Sequence, residues 1–280
     1  MRVSERCAKC LYDRQLDKTD NPEYLADIRS LLDKRGENDT SPYMVYQFDK
    51  VYTKYFGSSY DYKDIKKQYN DLVLSMEGSL RSEIEQAPDP LAKALVMARI
   101  GNYIDFAALS NVNQKEFLAL FDNTEMREDD IPVYESFIRE CREGKTFLLI
   151  CDNCGEIVLD KLMLEQLKKR FPHLTIRALV RGKDVLNDAT MEDAIYSGLD
   201  KVADIMSNGE AIAGTIYGMM PEESKIVLDG ADIILAKGQG NYESLSGQGR
   251  HMFYVFLCKC DVFTSRFNVP KLTGMFIEER

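Results

Sequence analysis

A strand-length apolar run, Phe147–Cys151, leads straight into Asp152-Asn153-Cys154-Gly155-Glu156 and then into apolar residues at helical spacing. This succession constrains the fold more than any other feature of the chain. A short, continuous apolar run is what a strand buried on both faces requires. Ile157, Leu159, Leu162, Leu164 and Leu167 follow on or near one side of a helix. Thr175–Val180 reads as a second strand, Val202–Met206 as a third and Ile233–Ala236 as a fourth, the last preceded by a helix from Pro221. Phe253–Cys258 and Met275–Glu278 complete the set. Alternation of strand and helix predicts an α/β fold with a mostly parallel sheet covered by helices.

The first half has a different texture. Asn21-Pro22 opens a helix that Gly36 closes, and Ser41-Pro42 opens another that stops at Gly57. Helices are expected from Asp61 to Gln86, over Leu91–Leu109 after Pro88-Asp89-Pro90, and from Pro132 to Cys141. The division is therefore an all-helical portion, 1–140, and an α/β portion, 141–280, as separate domains or around a shared core.

A formal charge of −10 argues against nucleic acid, whose binding leans on Lys and Arg. No segment approaches the apolar length of a membrane span. The opening MRVSERCAKC has no apolar stretch of signal-peptide type, and seven cysteines are an odd number for a disulfide scaffold. A reducing cytoplasm is the expected location. Oligomeric state is not legible.

In an open α/β sheet the ligand site lies beyond the carboxyl ends of the strands. There the chain carries Asp152-Asn153-Cys154-Gly155-Glu156, then Arg181-Gly182 with Leu186-Asn187-Asp188-Ala189-Thr190, then Lys237-Gly238-Gln239-Gly240-Asn241-Tyr242-Glu243. Asp152, Asn153 and Asp188 are hard oxygen donors suited to a divalent ion such as Mg²⁺ or Mn²⁺. Lys237 offers a point charge to a phosphoryl group, and Gly238 and Gly240 allow backbone amides to approach an anion. Asp152 and Asp188 serve equally well as helix caps when each is taken alone. Glu156 either orients water or supports a helix N-terminus. Asn102 and Asp105, three apart, either close the site from the helical portion or make a polar contact between the halves.

With Gly101-Asn102-Tyr103-Ile104-Asp105-Phe106 added, these segments resemble the damage-control phosphatase family, earlier catalogued as domain of unknown function 89. Cys7 and Cys10, as an N-terminal CxxC, resemble its prokaryotic-type branch. The resemblance implies helices packed on a Rossmann-like three-layer sheet domain. It implies a phosphatase dependent on Mg²⁺, Mn²⁺, Co²⁺ or Ni²⁺ and acting on sugar phosphates or damaged phosphometabolites. It matches the family's metal ligands to Asp152, Asn153 and Asp188, and its phosphate-binding lysine to Lys237 with Asn241 nearby. Arg181, Gly238, Gly240, Glu243, Asn102 and Asp105 are the further substrate-binding candidates. Cys154 departs from an expected small residue such as alanine, and Asp184 from an expected proline.

Three other readings compete. Cys151-Asp152-Asn153-Cys154 has the spacing of a thiol–disulfide redox motif, although an acidic neighbour raises a thiol pKa. Cys7, Cys10, Cys258 and Cys260 are two close pairs that together would make a four-sulfur zinc site in a non-enzymatic binding module. A carboxyl methyltransferase activity has been proposed for a eukaryotic branch of the family. His173 and His251 show no partner in the sequence.

Overall fold

The structure is a computed structural model and describes residues 1–59, 61–103 and 125–280. Five helices come first: α1 (Glu5–Leu16), α2 (Pro22–Asp33), α3 (Ser41–Phe56), α4 (Lys63–Gln86) and α5 (Pro90–Gly101). Their starts follow from side chains that satisfy otherwise unpaired first-turn amides. Ser4 accepts from Cys7, Asn21 from Glu23 and Tyr24, and Asp89 from Leu91 and Ala92. Helix α1 was not foreseen, because it buries only the narrow stripe Ala8, Leu11 and Gln15 among charged neighbours. The helix expected over Leu91–Leu109 is observed as Pro90–Gly101, with Asn102 and Tyr103 in a turn after it; residues 104–109, Asp105 among them, lie outside the described residues.

Then come α6 (Ile131–Glu143), β1 (Thr146–Ile150), α7 (Glu156–Arg170), β2 (Thr175–Val180), α8 (Met191–Ser197) and β3 (Asp204–Ser207). They are followed by α9 (Glu222–Gly230), β4 (Ile233–Lys237), α10 (Gln239–Leu245), β5 (Met252–Leu257), α11 (Asp261–Phe267) and β6 (Gly274–Glu279). The described strands form one sheet in the order β3-β2-β1-β4-β5-β6. Leu149 pairs with Ala178 on β2 and with Leu235 on β4, both in parallel register. β6 runs antiparallel on β5, with Tyr254 opposite Ile277. The connection to it carries the seven-residue α11.

Period-two burial divides the core. Phe147 and Leu149 face a cluster built with α4 to α7, whereas Leu148 and Ile150 face one built with Leu228, Tyr242 and Phe263 from α9 to α11. The first cluster runs without a break from Val73 on α4 to Phe276 on β6, across position 140. A separate small cluster joins Leu11, Tyr24, Ile28, Met44 and Phe48 of α1 to α3. No helix among the described residues is long and apolar enough to cross a membrane. The chain winds outward from β1 in one direction and from β4 in the other, so the carboxyl ends of β1 and β4 frame the crevice at the switch point.

Candidate active site

The loops after β1 and β2 are zipped together by their backbones. Cys154 N–H donates to Asn187 O (2.8 Å), and Ala189 N–H to Asp152 O (2.8 Å), with an isolated bridge between Asn153 and Asp188. Helix α4 supports both loops. Asn70 Oδ1 accepts from Gly155 N–H (2.7 Å), and Asn70 Nδ2 donates to Asp193 Oδ1 (3.0 Å). Lys66 Nζ pairs with Asp184 (2.5 Å) and Asp193 (2.8 Å), so the unusual Asp184 is held by a buried cation.

Asp152 and Asp188 thereby come to face one guanidinium. Arg181, buried at the end of β2, donates from Nε to Asp188 Oδ2 (2.6 Å) and from Nη2 to Asp152 Oδ1 (3.0 Å). Asn241 Oδ1 takes another Arg181 hydrogen (3.1 Å) and one from Thr215 Oγ1 (3.0 Å), which holds the fork in place. Neither aspartate is a cap. Gly155 stands at the N-cap of α7, and α8 is closed by the reciprocal Thr190–Asp193 capping box.

Below this pair sits a second buried cation. Lys237 Nζ donates to Glu156 Oε1 (2.7 Å), Asp160 Oδ1 (2.6 Å) and Ala98 O (3.0 Å). Glu156 Oε2 accepts from Asn102 Nδ2 (2.9 Å) and Asn153 Nδ2 (3.0 Å). The same two amide nitrogens donate to Asp152 Oδ2, at 2.9 Å and 2.7 Å.

The electrostatics favour an added cation. Burial, then Asp188 and Glu156, push the Asp152 carboxyl up to about 8 against the pull of Arg181. Asp160 is likewise raised by burial and by Glu156, to about 7, although Lys237 lowers it. Four carboxylates (Asp152, Glu156, Asp160 and Asp188) thus meet two fully enclosed cations, Arg181 and Lys237. Asn102 Oδ1 and Asp160 Oδ2 are buried without a hydrogen-bond partner among the described residues. No group of three or more His, Cys, Asp or Glu in metal-binding geometry occurs among the described residues. The oxygen donors available at the site are the Asp152 and Asp188 carboxylates and the Asn153 carboxamide, a chemistry that fits a hard divalent ion.

The sequence model of the damage-control phosphatase ARMT1-like domain matches residues 2–273. The chain belongs to this family. An uncharacterized protein of Methanocaldococcus jannaschii is 29% identical over 276 residues, covering 93% of this chain and 90% of that one. A damage-control phosphatase of Archaeoglobus fulgidus is 27% identical over 272 residues, 93% of either chain. A damage-control phosphatase of Pyrococcus horikoshii is 30% identical over 183 residues, 64% of this chain and 61% of that one. A solved structure of a DUF89 family protein from the same organism matches the fold over all of both chains, with a TM-score of 0.82 at 22% identity.

Within this damage-control phosphatase fold, several sequence expectations need correction. Lys237 is not an unshielded charge, since all three of its hydrogens are taken and the side chain is buried. Glu156 has both oxygens committed and is fully enclosed, which leaves no place for it to orient water. The glycines serve close approach within the protein. A Cβ on Gly238 (φ +81°) would lie 2.0 Å from Asp152 Oδ2, and one on Gly240 would lie 2.2 Å from Ala213 O. Asn241 ties strand ends together, donating to Cys151 O (3.0 Å) and Lys237 O (2.6 Å). Glu243 meets Ser41 at the start of α3, and its backbone carbonyl receives the Met1 amino group.

The cysteine readings fare worse. Burial raises both the Cys151 and Cys154 thiols far above their ordinary range, the reverse of what a redox pair needs. Cys7 packs with α1 to α3, Cys10 is exposed, and Cys258 and Cys260 belong to the face under β5. The four thiols are not gathered as a metal-binding group among the described residues. Sequence reading missed Thr215, Asp160, Lys66 and Asn70, whose partners lie 26 to 127 positions away. It also missed Lys259, just past β5, whose charge acts on Asp152. The signal for Lys259 was available: it is a lysine at the end of an apolar strand.

Proposed function

We propose that this protein is a metal-dependent phosphatase that hydrolyses a small phosphorylated metabolite, either a sugar phosphate or a damaged phosphometabolite. The observation that carries the reading is the convergence of Asp152 and Asp188, beside Asn153, at the switch point of the sheet. Two relatives bear the name damage-control phosphatase, which supports the reaction class. Asp152, Asn153 and Asp188 would hold the divalent ion (Mg²⁺, Mn²⁺, Co²⁺ or Ni²⁺). When bound, the ion supplies polarisation of a phosphoryl oxygen and neutralises its charge.

The chain's own groups do the rest. Arg181 holds the two aspartates at fixed separation, and Asn241 and Thr215 keep its fork oriented. Lys259 and the backbone amides of the turn after Gly238 stabilise negative charge on the transferring group, where most phosphoryl-transfer catalysis lies. Asp152 acts as a ligand to the ion, with water as nucleophile, or attacks phosphorus itself; denatured enzyme that retains labelled phosphate identifies the second route.

The test is phosphate release from fructose 1-phosphate, fructose 6-phosphate and p-nitrophenyl phosphate, with EDTA or with each ion. Metal-dependent turnover, abolished in Asp152→Ala, supports the reading. Folded protein that releases no phosphate with any ion or substrate overturns it.

A further inference from the structure

The buried half of the site is built to fix the direction of two carboxamides. A carboxamide Nδ2 has two hydrogens. In Asn102 and in Asn153 both hydrogens face carboxylates, one Glu156 Oε2 and the other Asp152 Oδ2. Turning one amide over would set its oxygen against two carboxylate oxygens, and turning both would leave four acceptors with no donor among them. The observed direction reserves each Oδ1 for another purpose. In Asn102 that oxygen is buried and unpartnered among the described residues. A hard cation takes oxygen and has no use for an NH₂ group.

What holds Glu156 in the accepting role is Lys237. Glu156 and Asp160 stand one helical turn apart on α7 and so face the same way. Lys237, the last residue of β4, closes between them and anchors on Ala98 O of α5. Its three hydrogens are consumed, so it has none to give to a phosphate without breaking this arrangement.

We propose that Glu156 and Lys237 are positioning residues that decide which end of Asn153 and Asn102 is offered to the metal. Lys237 acts through Glu156, not on the phosphoryl group. The inference rests on the metal reading of Asp152, Asn153 and Asp188 given above. It goes further by assigning Asn102 Oδ1 to the ion's surroundings and by removing Lys237 from substrate contact.

Glu156→Gln tests it with an isosteric change, because the new side chain has one accepting oxygen where three donors now converge. Lys237→Met and Lys237→Arg accompany it. Mn²⁺ affinity is measured by calorimetry on chelator-treated protein, and the visible spectrum of the Co²⁺ form reports the ligand set. Inhibition of p-nitrophenyl phosphate hydrolysis by inorganic phosphate is measured at saturating metal. Second-sphere partners of metal ligands typically change affinity by roughly 10–100-fold. We expect losses of that size for Mn²⁺ in Glu156→Gln and Lys237→Met, an altered Co²⁺ spectrum, partial recovery in Lys237→Arg, and phosphate inhibition constants within about twofold of wild type. Unchanged Mn²⁺ affinity in Glu156→Gln overturns the positioning role, as does phosphate inhibition weakened tenfold or more in Lys237→Met with Mn²⁺ affinity retained. If Lys237→Met does not fold, Glu156→Gln decides alone. Wild-type protein that binds no divalent ion removes the metal reading itself, an outcome distinct from a failure of positioning.

Discussion

Two buried cations, Arg181 and Lys237, each join a pair of carboxylates, yet their surroundings differ in kind. The partners of Arg181 come from two separate loops, Asp152 after β1 and Asp188 before α8. The partners of Lys237 come from successive turns of one helix, Glu156 and Asp160, plus a carbonyl of α5. The helix alone sets the spacing of one pair, whereas the spacing of the loop pair depends on the backbone bonds between the loops and on Arg181. Both cations stay charged despite desolvation, because their carboxylate neighbours raise their pKa above the ordinary range. The lesson is that equal burial and equal charge can mark a site in one case and its foundation in the other.

The sharpest way to break this comparison is to remove each cation. Leaving buried carboxylates uncompensated costs about 3–5 kcal/mol. Arg181→Met and Lys237→Met should both lose stability on that scale in urea unfolding at pH 7. Saturating Mn²⁺ should restore part of the loss in Arg181→Met, where a cation can take the vacated place, and none of it in Lys237→Met. Equal rescue of both would erase the distinction.

Next in size is the catalytic effect of the loop pair. Asp188→Asn should lower kcat/KM for phosphate release by roughly 10²–10³-fold, the scale for losing one group that acts on transition-state charge. Asp160→Asn, on the foundation side, should cost far less activity, and kinetics at saturating metal compares the two.

A smaller effect is expected where the two regions touch. Gly238→Ala would put a methyl group 2.0 Å from Asp152 Oδ2 at a positive φ. Backbone strain of this kind costs on the order of 1–3 kcal/mol. A fall in Tm together with activity is the predicted result, and full activity at unchanged Tm would show that Asp152 moves freely.

The smallest effect concerns the support from α4. Although burial opposes it, Lys66 and the Thr190 N–H hold the Asp193 carboxyl below its ordinary range. A depressed folded-state pKa gives stability that is complete above the unfolded carboxylate value and fades as pH falls through the folded one. Acid unfolding of wild type should therefore steepen below about pH 4, and Lys66→Met should flatten that limb while leaving its stability less dependent on pH.

Much of the scaffold was legible because burial on both faces writes itself as apolar runs. β1, β2, β4 and β5 were read close to their observed bounds from such runs, α2 and α3 from caps and glycine stops, and the end of α4 from the proline break that follows it. Helix α1 was not, since it shows only a narrow apolar stripe, and β6 was read as a strand over Met275–Glu278 without its antiparallel direction, which no local run carries. The strand order places the loops of Asp152 and Asp188 side by side, and that order is a long-range property no local pattern carries. In the site, residue types at strand ends singled out Asp152, Asn153 and Asp188, and helical spacing with the family resemblance singled out Asn102; the structure places these four side by side. The enclosure of Lys237 escaped the sequence because its partners sit 77 and 81 positions earlier on a helix read only for its apolar side.

The central claim is that the loop pair holds the ion on which phosphate release depends. Mn²⁺ titrated into chelator-treated protein, with binding and p-nitrophenyl phosphate hydrolysis followed on the same sample, tests it directly. The account predicts one ion per chain, activity rising along the binding curve, and loss of both in Asp152→Asn and Asp188→Asn. Undiminished Mn²⁺ binding in those variants, or wild-type hydrolysis that persists in excess EDTA, would contradict it.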